Sequence, residues 1–368
     1  MMELKLPFVA KLALILISIL ALGYLAAIGK TILSPLVFAF LIALLFLPLA
    51  NFLEKKLRFS RTLSTFSSVL IMVAALLAIF YFFATQLGDF TNDFPLVQKQ
   101  VSKSLFHLQV WVSKTFHLNI SNQYKYINQG LEKLLSSTGV ILGFTVSMFS
   151  SSLAFISFSV LFFIFILNYR RVLYQFIISV FSEKHFTKVH EILAEVQRII
   201  KQYIFGLFIQ IIIVSTLTSI LLSVIGVKYA VLLGVLTGLL NIIPYIGIFI
   251  SVFIACLLSF ATGGSPLFVL LGYLGIHLID ANITLPLVVG SKVKINALFT
   301  FLGLLVGEAM WGISGMFLSI PLLAIVKIIF ERVEGLEAWG KVLGEESKTN
   351  RIRRKYKITK KITLEEKE

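Results

Sequence analysis

The run GVLTGLLNIIPYIGIFIS, residues 234–251, decides how this chain folds. It is apolar enough for the interior of a lipid bilayer, yet Asn241 and Pro244 stand at its centre. Proline removes a backbone donor and clashes with the preceding helical turn. In lipid, such a break is tolerated only where protein or a water-filled cavity satisfies the freed carbonyl groups. The run therefore predicts a broken helix in the working part of a membrane protein.

The composition of all 368 residues supports this interpretation. Hydrophobic residues make up 58% of the chain and charged residues 14%, whereas a soluble domain has about 25% charged residues. Long unbroken apolar runs indicate helices and not the alternating strands of a barrel. The single cysteine, Cys256, excludes an intrachain disulfide and a cysteine-based metal cluster. We predict an all-α polytopic membrane protein without a cofactor, a metal site or catalytic residues.

Apolar runs and charged loops divide the chain into six regions. The basic loop at 54–61 is cytoplasmic by the positive-inside rule, which places the N-terminus in the cytoplasm as well. The predicted regions are 1–87 (membrane helices), 88–139 (extracytoplasmic amphipathic helices), 140–169 (a membrane helix), 170–202 (a cytoplasmic helix), 203–335 (a transport core with two broken helices) and 336–368 (a basic cytoplasmic tail).

Two apolar blocks of the core, residues 229–260 and 299–330, are too long for one membrane helix each. A single helix of that length would measure roughly 45 Å, against about 30 Å for the hydrocarbon core. Polar residues, glycine and proline interrupt both blocks near their middles. We therefore predict about six full spans and two re-entrant helical hairpins, with eight full spans as the open alternative.

The positions of two lysines favour the hairpins. Re-entrant blocks keep Lys292 and Lys294 on the cytoplasmic side, whereas full crossings would place them outside, against the positive-inside bias. The segments 204–260 and 267–330 would each contain one span and one hairpin, in opposite orientation. Inverted repeats with broken helices are a recurring design of secondary transporters.

The net charge of +15 is concentrated in the tail at residues 348–361, which contains eight lysines and arginines and no acidic residue. Because this tail follows a membrane helix, we predict that it lies against anionic lipid head groups and does not bind nucleic acid.

Polar side chains inside the apolar core are the candidate site residues. Asp280 is a carboxylate within a span, with His277 three residues before it and Thr284 four residues after it, so the three share a helical face. His277 and Asp280 could carry protons, or they could be a structural pair that locks helices together. The full candidate set for substrate or ion binding is Asn241, Pro244, Tyr245, Gly247, His277, Asp280, Asn282, Glu308, Gly312 and Gly315.

Two of these positions have specific expected roles. Glu308 in the second break could bind a cation, act as a protonation switch, or be inert if the tip is solvated. Asn241 could bond either the freed backbone or a polar substrate. Pro286 and Pro321 are expected to break helices.

Four runs in the C-terminal half resemble the autoinducer-2 exporter family, also called the PerM family, of bacterial inner-membrane proteins. The runs are GVKYA at 226–230, LNIIPYIG at 240–247, LPLVVGSKV at 285–293 and VGEAMWGISGM at 306–316. The chain differs from the family pattern at 296–297, where members often have a helix-starting proline. It also differs at 280–282, where many have glutamate or glutamine with an asparagine.

The resemblance implies a secondary active transporter in the bacterial inner membrane that forms a homo-oligomer. Its implied substrate is a small polar solute such as autoinducer-2, or Na⁺ or Li⁺ exchanged for protons. A passive channel and a non-transporting envelope scaffold are alternatives. The sequence lacks a Walker phosphate-binding loop and an intramembrane nucleophile–base pair, so neither ATP hydrolysis nor another enzymatic activity is predicted.

Overall fold

The computed structural model describes residues 7–116, 138–243, 246–290 and 294–344, and this part of the chain is helical. Eleven α-helices of it are numbered in chain order. They are α1 (Phe8–Ile28), α2 (Lys30–Lys55), α3 (Arg61–Phe116), α4 (Thr138–Val180), α5 (Phe186–Ile225), α6 (Ala230–Leu240), α7 (Ile246–Ala261), α8 (Pro266–Ile279), α9 (Ala297–Trp311), α10 (Ile313–Arg332) and α11 (Glu337–Leu343).

Seven helical stretches in the described residues are long and apolar enough to cross a membrane. They confirm the predicted all-α polytopic class. They are Phe8–Ile28, Lys30–Lys55, Arg61–Gln86, Leu153–Val180, Glu183–Ile225, Pro266–Val288 and Ile313–Arg332. Helix α3 continues without interruption past the apolar part to Phe116, and the remainder of the predicted extracytoplasmic region, from 117 to 137, lies outside the described residues.

The first overlong block consists of two separate helices, as predicted. Helix α6 has 11 residues and α7 has 16, and Asn241 is the C-cap of the first. The two helices pack on each other at the break, because a Cβ on Gly247 would lie 1.8 Å from the carbonyl oxygen of Leu240. Only glycine permits this approach at position 247.

The second block is also broken, at Gly312 between α9 and α10. Gly312 has φ +64°, a conformation that L side chains rarely adopt. Beside it the two helices cross in backbone contact, since a Cβ on Gly315 would lie 1.9 Å from the carbonyl oxygen of Gly307. Asn296 caps α9, and its side chain accepts a hydrogen bond from the backbone of Leu298 at 2.9 Å. An asparagine cap therefore starts this helix without a proline.

The prediction that Pro286 and Pro321 break helices is wrong. Pro321 lies inside α10. Helix α8 continues past Ile279 as two π-helical turns, Asp280–Thr284 and Pro286–Gly290. A π-turn widens the helix, which accommodates a proline ring that would clash with the carbonyl group four residues earlier in an α-helix.

The chain forms two compact units. One contains Pro35–Arg171 and Ile204–Val289, and its buried clusters centre on Phe163 with Leu167 and on Tyr273 with Leu222. In the same unit, Glu54 on α2 forms ion pairs with Arg170 and Arg171 on α4.

The other unit contains Met1–Ser34, Val172–Tyr203 and Gly290–Glu368. Here Trp311 donates its indole N–H to the carbonyl oxygen of Ala26 at 2.8 Å, so α1 is attached to the α9–α10 hairpin. The short helix α11 packs on α10, where a Cβ on Gly340 would lie 2.8 Å from the backbone nitrogen of Glu331.

Candidate functional site

Three polar side chains meet around one buried carboxylate, that of Asp280. They come from α5 (Gln210), from the break after α6 (Asn241) and from the π-turn after α8 (Asp280). Asp280 is 8% exposed and Gln210 is 5% exposed. All three belong to the same compact unit.

Both carboxylate oxygens of Asp280 accept hydrogen bonds from amides. Gln210 Nε2 lies 3.2 Å from Oδ1 and 3.2 Å from Oδ2, and Asn241 Nδ2 lies 3.0 Å from Oδ2. Among the described residues, these two amides are the polar side-chain partners of the carboxylate. No cationic side chain is among these described partners.

The π-helical turn sets the position of Asp280. The turn places Asp280 and Thr284 in the interior, with exposures of 8% and 5%. π-Turns within helices occur frequently at functional sites because they redirect one side chain without ending the helix.

Close helix packing brings Asn241 to the carboxylate. Gly234 and Gly238 on α6 lie against Ser215 and Ser219 on α5, where a Cβ on Gly238 would lie 2.1 Å from the Ser215 hydroxyl. Small residues four apart allow membrane helices to approach at backbone distance. One turn before Asn241, the hydroxyls of Thr237 and Tyr273 are hydrogen-bonded at 2.8 Å, which fixes α6 against α8.

The amide groups can satisfy the carboxyl in either protonation state. An asparagine or glutamine side chain has two N–H donors and one oxygen acceptor. Facing a carboxylate, Gln210 and Asn241 donate, as observed. Facing a protonated carboxyl, one amide can rotate and accept the new O–H. The two amides can therefore pair with this carboxyl whether it is ionised or protonated.

The other predicted residues in this unit take different positions. His277 is exposed, whereas Asp280 and Thr284 are buried, and the partners of Asp280 are the two amides instead of His277. Asn282 is also exposed, and its amide donates to the carbonyl oxygen of Leu278 at 2.8 Å. The predicted site residues Pro244 and Tyr245 lie outside the described residues.

Glu308, Gly312 and Gly315 belong to the other unit. Glu308 is exposed in the last turn of α9, and its carbonyl oxygen accepts the N–H of Gly312 at 2.7 Å. Gly312 forms the turn and Gly315 the helix crossing described above.

Sequence comparison identifies the group of proteins to which this arrangement belongs. A model of the AI-2E family transporters matches residues 13–335, which include Gln210, Asn241 and Asp280. The chain belongs to the AI-2E transporter family. It is therefore a multi-pass membrane protein of a bacterial transporter family.

One individual relative adds a shorter match. The AI-2 transport protein TqsA of Escherichia coli (strain K12) is 38% identical over 82 residues, which are 22% of this chain and 24% of that protein. The match spans about a quarter of the relative's length.

Proposed function

We propose that this AI-2E family member is a secondary active exporter of a small polar solute of the autoinducer-2 type, driven by protons that bind at Asp280. The name of the relative, AI-2 transport protein, supports this class of solute. The family match supports a transporter. We further propose that it acts as a homo-oligomer in the bacterial inner membrane with both termini in the cytoplasm.

The observation that carries proton coupling is the environment of Asp280. An ionisable side chain buried in a membrane protein is expensive, and such residues mark ion and proton pathways. Here the carboxylate is held by two amides that can serve both of its protonation states. A structural ion pair would instead need a cation beside it.

Asn241 couples this proton to a movable element. It is the C-cap of α6 at the break of the first block, and its hydrogen bond to Asp280 is charge-assisted while the carboxyl is ionised. Protonation of Asp280 weakens that hydrogen bond, so the segment between α6 and α7 is held less firmly to the turn after α8. Alternating access in transporters with broken helices uses movement of such elements around a central site.

Exchange of Na⁺ or Li⁺ for protons is the second candidate, and the same site supports it. Hard cations prefer oxygen ligands. Asp280 supplies two oxygens, and rotation of the amides of Gln210 and Asn241 would supply two more.

Reconstitution tests both candidates. Vesicles containing the full-length chain are loaded with autoinducer-2, Na⁺ or Li⁺, and efflux is measured with and without an imposed pH gradient. We expect autoinducer-2 efflux that the gradient accelerates, and loss of that acceleration in Asp280→Asn. The exposed Asn282→Ala serves as the matched control from the same helical segment.

The outcomes separate the alternatives. Gradient-driven efflux of Na⁺ or Li⁺ but not of autoinducer-2 would favour the antiporter. Gradient-independent flux of the solute would indicate a passive channel. Unchanged proton-driven efflux in Asp280→Asn would reject this residue as the proton carrier.

A further inference from the structure

A polar cavity lies in the other compact unit, between α5 and α10. It has a volume of about 370 Å³. One stripe of its lining follows α5 at helical spacing, and the second follows α10 at the same spacing. The lining residues are Glu195, Arg198, Ile199, Gln202, Lys294, Ala324, Lys327, Ile328, Glu331 and Arg332.

The charges around this cavity do not balance. Four basic and two acidic side chains line it. Glu195 is paired with Arg198 at 2.6 Å and Glu331 with Lys327 at 2.8 Å, so both acids already have a basic partner. The positive charge that remains belongs to Arg332 and Lys294.

Arg332 has donor capacity left over. Its Nη2 lies 3.9 Å from Glu195, at the outer limit of an ion pair. Its Nη1 is buried and has no hydrogen-bond partner among the described residues. A buried donor without an acceptor is costly, which is why nearly all such groups in proteins have one.

Lys294 is held at the cavity by the backbone around it. The next residue, Ile295, forms an antiparallel bridge with Gly344. The N–H of Asn296 donates to the carbonyl oxygen of Leu343 at 2.8 Å. The backbone at Lys294 is therefore anchored, and its side chain has no ion-pair partner within the part of the chain that the structure describes.

We propose that this cavity binds a phosphate-bearing anion. Phosphate oxygens are strong acceptors for a guanidinium, and they would bind the Arg332 side chain while neutralising Lys294. The anion could be a lipid head group or a free phosphate compound. A head group fits the position of the cavity, since Arg332 ends the candidate span Ile313–Arg332, and basic pockets between membrane helices bind anionic head groups.

A largely apolar cavity, lined in part by the same two helices, with Lys188 among their side chains, and also by Ile177 of α4 and by Glu334, supports the lipid. It has a volume of about 500 Å³, and its lining includes Val189, Ile192, Leu193, Ile329 and Val333. Such a groove offers an acyl chain an apolar path next to the basic cavity.

Thermal unfolding of the full-length protein in neutral detergent tests the proposal. One series adds phosphatidylglycerol, with phosphatidylcholine as its control, and another adds inorganic phosphate, with chloride at the same ionic strength as its control. The variants are Arg332→Gln and Lys294→Gln. Lys341→Gln removes the same charge at an exposed position outside the lining.

We expect phosphatidylglycerol to stabilise the wild-type protein, with an apparent affinity about tenfold weaker in Arg332→Gln or Lys294→Gln and unchanged in Lys341→Gln. Stabilisation by inorganic phosphate with the same variant pattern would support the site and identify a soluble anion as its source. The proposal would be overturned if each anion raised the melting temperature no more than its control did. It would also be overturned if the apparent affinity fell equally in all three variants. Because Lys294 is exposed, its variant keeps the test informative if Arg332→Gln does not fold.

Discussion

The amide nitrogen of Asn241 lies 3.0 Å from Oδ2 of Asp280 and donates a hydrogen bond to it. This single contact ties the break between α6 and α7 to the π-helical turn after α8. A helix end and a widened turn both weaken a membrane helix. Here the polar side chain at the helix end, Asn241, pairs with the polar side chain in the widened turn, Asp280.

Replacing Asn241 by leucine removes one donor from a buried carboxylate. Hydrogen bonds to charged groups contribute about 1.5–3 kcal/mol, so Asn241→Leu should lower the free energy of unfolding by about that amount. Denaturant unfolding of the purified protein in detergent measures the loss. Asn282→Leu, at an exposed position, should change it by about 0.5 kcal/mol at most. Equal losses in the two variants would contradict the role of Asn241.

Gln210 and Asp280 should behave as a coupled pair. Gln210→Leu leaves the carboxylate with one donor, but it should cost less when Asp280→Asn has already removed the charge. The double-mutant cycle should give a coupling energy of about 0.5–3 kcal/mol. Additive losses would show that the two residues contribute independently, despite their separation of 3.2 Å.

Hydropathy and helix breakers predicted the fold class and both broken blocks, because these features depend on local sequence. The predictions for Pro286 and Pro321 failed since a packed helix can continue past a proline by widening a turn or by using neighbouring helices to satisfy the backbone. Local sequence does not reveal that support.

Local sequence likewise predicted only some residues of the candidate site, because it does not show which distant residues are in contact. Asp280 and Asn241 stand out as polar residues in apolar runs. Gln210 gives a similar signal, as a lone amide within the run FGLFIQIIIV at 205–214, but was missed because its partner is 70 positions away. His277 was expected on the face of Asp280, yet it is exposed, and helical spacing did not predict the π-turn.

The α9–α10 crossing should tolerate no side chain at Gly315. A Cβ there would lie 1.9 Å from the carbonyl oxygen of Gly307, so Gly315→Ala must push two backbones apart. Overpacking of this kind costs about 1–3 kcal/mol. Gly275→Ala is the matched control, because its Cβ would meet nothing within 4 Å and alanine favours a helix. Melting temperatures should fall for Gly315→Ala alone, and a fall of the same size in the control would refute the contact.

The ion pair between Lys188 and Glu334 should give a small pH dependence of stability. The Lys188 ammonium, hydrogen-bonded to Glu334 at 3.0 Å, holds the pKa of that carboxyl below its usual range. A lowered pKa in the folded state adds stability above the ordinary pKa of glutamate, and this stability is lost as the pH falls through the lowered value.

Lys188→Gln should therefore lower the melting temperature slightly near pH 7 and leave it unchanged at an acidic pH where Glu334 is protonated. Glu334→Gln should show the same pH dependence. The melting temperature of the double variant should fall no further than that of either single variant. A loss in Lys188→Gln that persists at the acidic pH would assign the effect to packing.

Cysteine labelling decides whether the first block is re-entrant. Helices α6 and α7, at about 16 and 24 Å, are each shorter than the roughly 30 Å hydrocarbon core. They also contact each other at Gly247. A hairpin returns the chain to the side from which it entered. In a Cys256→Ser background, Lys228→Cys and Ser265→Cys flank the block and should both react with an impermeant maleimide added outside intact cells.

Lys184→Cys, which the charge pattern places in the cytoplasm, is the internal control and should react only after the cells are permeabilised. Protection of Ser265→Cys together with Lys184→Cys would mean that the block crosses the membrane. The positions of the later charged residues would then invert, with Lys294 outside. The break at Asn241 would in that case be a kink within a span, and its hydrogen bond to Asp280 would lock two full crossings together instead of holding a hairpin tip.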